Sequence, residues 1–115
     1  TNIYSVDVKG TGAGGAFTTV LDIENFWFGL LNGNIISQRM VREMLTPQVR
    51  EGCYGYGVWL KERGHHTFIP QFEGCDPGVS FISSFDMEND MIVTLVSNFG
   101  CNVWELHKKI NNIIN

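Results

Sequence analysis

The sequence predicts an α+β domain: a helical hairpin, then an antiparallel sheet of about three to four strands, then a C-terminal helix packed on that sheet. Three observations predict it. Residues 19–47 carry apolar stripes at helical spacing, each bounded by capping or stop residues. From Cys53 the pattern changes to short runs of aromatic and β-branched residues joined by tight polar turns. Residues 102–114 return to a helical stripe. A length of 115 residues suits one domain over 1–115, and 43% hydrophobic with 17% charged residues places it among globular chains.

The elements follow in order. Ile3 to Val8 alternates weakly and suits a short strand or an extended lead-in. Gly10-Thr11-Gly12-Ala13-Gly14-Gly15 matches G-x-G-x-x-G in letters. A dinucleotide site would need a second strand and an acidic residue about 20 positions on to hold a ribose, and the sequence near 35 supplies neither. The stretch is therefore read as a glycine turn. Thr19 with Asp22 forms a capping pair for a first helix, whose stripe is Val20, Ile23, Trp27, Leu30 and Leu31. Phe26 and Phe28 widen the stripe, which predicts cover on two sides. Asn32-Gly33 ends this helix. Ser37 caps a second, Gln38 to Leu45, with Met40, Val41, Met44 and Leu45 inward, and Thr46-Pro47 stops it.

Tyr54 to Leu60 reads as a strand, Lys61 to Gly64 as a turn, and His65 to Phe72 as the next strand. Pro70 lacks an N–H, so it must sit at an edge or an irregularity. Asp76-Pro77-Gly78 is a tight turn, Val79 to Phe85 a strand, Asp86 to Asp90 a hydrophilic hairpin loop, and Met91 to Ser97 the most apolar strand. The short links make the sheet antiparallel. Asn102 caps the last helix, with Val103, Leu106, His107, Ile110 and Ile114 expected to face the sheet and His107 to sit at its boundary.

Composition removes several functions. The net charge of −4 and the scattered basic residues argue against nucleic acid. No apolar run approaches the roughly 20 residues of a membrane span. Cys53, Cys75 and Cys101 lack metal-ligand or CxxC spacing, so neither a zinc site nor a disulfide framework is expected. Adjacent His65 and His66 point to opposite faces of a strand and suit no shared ion. No metal and no cofactor is expected. No Ser-His-Asp order stands out.

Several segments together carry a family likeness. They are 13–22 (AGGAFTTVLD), 30–37 (LLNGNIIS), 44–48 (MLTPQ), 54–59 (YGYGVW), 74–81 (GCDPGVSF) and 93–98 (VTLVSN). In this order the chain resembles the C-terminal portion of the serine β-lactamase and penicillin-binding-protein-like hydrolases, nearest the class C β-lactamase and esterase branch. The resemblance implies a partial β-lactamase-like fold and a parent that acylates a serine and hydrolyses the acyl-enzyme, on a β-lactam, a D-Ala peptide or a small ester. It also implies a parent that works outside the cytoplasm or at a membrane.

The family's nucleophile and its lysine lie in an S-x-x-K motif, which this chain does not contain; Ser80-Phe81-Ile82-Ser83 does not continue to Lys. The chain alone is therefore expected to be inactive. Aligned on Pro77-Gly78, the family's Lys-Thr-Gly or His-x-Gly falls on Phe72, Glu73 and Gly74. Gly74 fits, whereas Phe72 departs from the usual Lys or His. Glu73 also fits a solvated strand residue. The backbone N–H of Cys75 takes the oxyanion-hole position. Partners implied are a small-molecule or peptide substrate met through the parent, and the remainder of the parent chain. Self-association through an exposed strand edge, as a symmetric dimer, is also expected. A non-catalytic binding or assembly module that retains the frame is the other reading.

Overall fold

The computed structural model describes residues 9–12, 14–49, 53–64, 67–100 and 102–114. The possible strand at Ile3 to Val8, the His65-His66 pair and Cys101 lie outside them. The described elements run α1 (Val20–Leu31), α2 (Gln38–Met44), β1 (Trp59–Gly64), β2 (Thr67–Asp76), β3 (Val79–Asp86), β4 (Met91–Ser97) and α3 (Val103–Ile114). The strands form one antiparallel meander in the order β1-β2-β3-β4.

Local chemistry sets the helix ends as expected. Thr19 Oγ1 accepts from the Asp22 N–H (3.2 Å), and the Asp22 carboxylate accepts from the Thr19 N–H (3.3 Å), which closes a capping box. At the other end Gly33 takes a φ of 77°, its N–H donates to Leu30 O, and the Asn34 N–H reaches Gly29 O. These are the paired bonds of a Schellman motif, and the left-handed residue they need is a glycine. Ser37 caps α2 through the Met40 N–H.

The core lies between α1, α2 and one face of the sheet: Trp27, Leu30, Val41 and Phe85 are buried together, with Ile23, Met44, Phe72 and Ile92 around them. Met40 lies outside it, exposed, contrary to its expected inward place. The α1 stripe is also narrower than expected. Val20, Leu21, Phe26 and Phe28 are exposed, so among the described residues the sheet covers one side of this apolar helix and the other side stays open.

Two strand expectations shift. Pairing of β1 begins at Trp59, not Tyr54, because Gly57 takes a φ of 74° and the Gly55 N–H bonds to Val58 O, folding 54–58 into a turn. Lys61, Glu62 and Arg63, expected as turn, are strand residues, and Gly64 with φ 119° makes the bend after them. Pro70 sits inside a central strand, yet the rule that it avoids a donor position holds. It pairs with Leu60 on β1, while the β2–β3 ladder starts only at Gln71↔Ser84. The missing N–H falls where the ladder has ended.

On the opposite face of the sheet lies α3. Its buried residues are Val103, His107 and Asn111, at i, i+4 and i+8. Leu106 and Ile114, expected to face the sheet, are exposed. The boundary position expected for His107 is a buried one.

Candidate active site

The candidate strand is β2 between Phe72 and the Pro77-Gly78 turn. Asp76 and Val79 pair across a two-residue turn, and Gly78 has a φ of 82°, a conformation that a side chain disfavours. A pair that flanks a two-residue turn exchanges both backbone hydrogen bonds, and an antiparallel ladder then alternates. Gly74↔Phe81 and Phe72↔Ser83 are thus bonded pairs, while Cys75↔Ser80 and Glu73↔Ile82 are not. The N–H and C=O groups of Glu73 and Cys75 point away from β3, toward the β1 side. There β1 has already ended, its first partner being Trp59↔Gln71. Among the described residues, the segment from Glu73 to Asp76 is therefore an open strand edge, with the Glu73 and Cys75 backbone donors aimed outward.

Side chains alternate between the faces. Phe72 points to the α1 face, its ring 4.7 Å from that of Trp27 and 5.5 Å from that of Phe26. This position is thus filled by an aromatic group locked on α1, where the motif would place an amine or imidazole. Gly74 shares that face, and a Cβ built on it meets nothing within 4 Å. Neither a turn nor close packing within this chain demands glycine there; the position is a mid-strand gap with open space before it.

Glu73 points the other way. Its carboxylate accepts from Trp104 Nε1 on α3 (2.9 Å) and from Gln71 Nε2 (3.0 Å). It borders a cleft of about 300 Å³ together with Cys53, Trp59, Leu60, Lys61 and Gln71. Cys75 is exposed, with its thiol free. The structure thus brings the four sequence-selected residues onto one strand end but divides their side chains between two faces.

Three polar constellations went unread in the sequence. Trp27 donates from Nε1 to Ser83 Oγ (2.8 Å), and Ser83 in turn meets Thr94 Oγ1 (2.8 Å). His107 Nε2 lies 2.8 Å from Ser84 Oγ, and its Nδ1 is 3.2 Å from Asn111 Nδ2. The i, i+4 spacing of His107 and Asn111 was the available signal for this second group. Asp86 caps its own hairpin loop through the Glu88 and Asn89 N–H groups and the Asn89 side chain, and it pairs with Arg63. Burial would raise the Asp86 pKa, but the Asn89 bonds, the Arg63 charge and the Glu88 N–H outweigh it and hold the carboxyl below its usual range. Among the described residues no group of three or more His, Cys, Asp and Glu side chains could hold a metal, and no helix is long and apolar enough to cross a membrane.

No family model matches the chain. A crystal structure of a penicillin-binding protein from Bacillus halodurans superposes with a TM-score of 0.88 at 31% identity, over 97% of this chain. The chain is similar in fold to part of a penicillin-binding protein. Among curated proteins it is 27% identical over 106 residues to "Putative penicillin-binding protein PbpX" of Bacillus subtilis (strain 168), a match over 90% of the chain. The chain spans 26% of the length of that protein and 36% of the Bacillus halodurans chain. Its four-stranded antiparallel sheet with three helices is a partial penicillin-binding-protein fold.

Proposed function

We propose that this chain is one wall of a serine acyl-transfer site, the C-terminal portion of a larger hydrolase whose nucleophile lies in another part of the polypeptide. The observation that carries the reading is the open β2 edge, where the outward Cys75 N–H sits beside the vacant space over Gly74. Such an amide needs no particular side chain. It needs a fixed donor where negative charge develops on the carbonyl oxygen of a β-lactam, a D-Ala peptide or an ester, and one such donor is worth about 3 kcal/mol in comparable sites. A rigid hairpin closed by Pro77 and Gly78 holds it in place.

Labelling with a fluorescent penicillin tests this reading. The chain alone is expected to take no covalent label. The longer protein that contains it is expected to label at an S-x-x-K serine. Gly74→Val in that protein should slow labelling at least about tenfold, equivalent to about 1.4 kcal/mol of barrier. Serine-dependent turnover by the isolated chain would overturn the division of labour.

One observation favours a second reading, a binding or assembly module without catalysis. Phe72 packs on Trp27 and offers no charge to a substrate carboxylate. A longer protein that lacks S-x-x-K and takes no label would establish this alternative. Under either reading, we propose that the outer edge of β4, which among the described residues pairs only with β3, meets the remainder of the longer protein or, in its absence, a second copy. The chain carries no charged side chain from Met91 to Ser97 to oppose such pairing. Sedimentation of the isolated chain is expected to show a dimer; a clean monomer at high concentration would remove that part of the proposal.

A further inference from the structure

The helix α3 is held on the sheet by an unusual set of contacts. Of its three buried residues two are polar, His107 and Asn111, while Leu106, Ile113 and Ile114 are turned to solvent. Val103 is buried, and Trp104 and Ile110 are partly buried. The polar contacts add to this apolar hold, and they favour one protonation state. Asn111 Nδ2 lies 3.2 Å from His107 Nδ1 and 3.5 Å from Nε2, and an amide nitrogen only donates, so the nearer contact is favourable when Nδ1 carries the lone pair. The proton of the neutral ring then sits on Nε2 and is donated to Ser84 Oγ on β3. A second proton would set N–H against N–H₂ and leave a charge in a site that is 3% exposed.

We propose that α3 is a pH-sensitive latch: protonation of His107 turns its contact with Asn111 repulsive, loosens the helix from the sheet and releases the hold of Trp104 on Glu73. The latch does not depend on the acyl-transfer reading. It reaches the candidate strand because Trp104 lies one turn before His107 and bonds the Glu73 carboxylate.

The charged surroundings agree. Burial lowers the His107 pKa below its ordinary value, Lys61 on β1 lowers it further, and Glu73 on β2 opposes both. On β3 the Asp86 carboxylate is engaged with Arg63 of β1. No charged side chain comes from β4. On α3 itself Glu105, Lys108 and Lys109 are exposed. A histidine kept neutral in the fold takes its proton more readily when released. Its contribution is therefore complete above about pH 6.5, the unfolded value, and is lost as pH falls below that toward the lowered folded value.

The test follows the Trp104 indole N–H by NMR, assigned with Trp104→Phe, in the whole chain between pH 7.5 and 5. At pH 5 most carboxylates remain ionised, which isolates the histidine window. The Trp104 signal is expected to shift toward the position of a solvent-exposed indole, and α3 amides to lose roughly tenfold in protection relative to β3. The Trp27 indole, bonded to Ser83, should hold its place. In His107→Gln, which cannot titrate, the pH response should disappear. A second measurement covers failure of that variant to fold: direct titration of the His107 ring in the native chain should show Nδ1 unprotonated at pH 7.5 and gain its proton together with the Trp104 shift. A Trp104 signal that stays fixed to pH 5, a response that survives in His107→Gln, or a His107 titration uncoupled from Trp104 would each overturn the latch.

Discussion

Trp27→Ala is expected to cost about 3–5 kcal/mol, which is most or all of the stability of a domain this small. The indole is fully buried and touches two strands at once. Its ring packs against Phe72 on β2 and Phe85 on β3, and its N–H reaches Ser83. Truncation removes the aromatic volume and leaves a cavity between α1 and the sheet that backbone on both sides hinders from closing. Trp27→Phe separates the two parts. It keeps most of the ring contact and loses the indole hydrogen bond, yet Ser83 retains Thr94 as a partner. Its cost should be about 1–2 kcal/mol. Urea denaturation monitored by circular dichroism measures both, and equal costs for the two variants would show that packing around the ring is not what holds α1 on the sheet. The candidate site should respond as well, because Phe72 is set by the same indole.

Gly55→Ala is expected to be the most damaging addition of a single methyl group, at about 3 kcal/mol or more. A Cβ at this position would overlap the Met44 carbonyl oxygen, and that oxygen already accepts the Tyr56 N–H. The clash is with backbone, so no side chain can rotate away. Relief requires the link between α2 and β1 to move, and with it Val58 and Leu60, both buried. Gly74→Ala is the informative control. Its Cβ meets open space, so the stability of this chain should change by no more than about 0.5 kcal/mol. A stable Gly55→Ala chain, or a Gly74→Ala chain that unfolds, would contradict the assigned reasons for these two glycines.

What the sequence made legible follows from the range of the forces concerned. The Thr19–Asp22 cap, the Gly33 stop, the Ser37 cap and the hairpins on both sides of Val79 to Phe85 are set by neighbours within a few residues, and all were readable. Phe72 to Cys75 was legible as strand, because its spacing to the Pro77-Gly78 turn fixes the register with Val79 to Phe85. Its face assignment was not. Whether Glu73 meets solvent or Trp104 depends on a helix 31 positions further on. Tyr54 to Leu60 was misread because aromatic residues between glycines have strand propensity, and the turn at Gly57 prevailed over it. His107 was misplaced for a related reason. A hydropathy stripe sends Leu106 inward and a histidine to the boundary, but Ser84 on the sheet supplies a partner that makes a polar residue the better fit. The outer side of α1 carries the same lesson in reverse: its apolar width implied a second cover, and the described residues provide only one.

The central claim is that β2 ends in an open edge whose Cys75 N–H is aimed away from the sheet. Residue-resolved amide hydrogen exchange on the native chain tests it most directly. The ladder predicts alternation: the Cys75 amide should exchange rapidly, and those of Gly74 and Asp76, both bonded to β3, should be protected. A Cys75 amide as protected as its two neighbours would mean that the edge is closed, and the proposed oxyanion donor would be unavailable to any substrate.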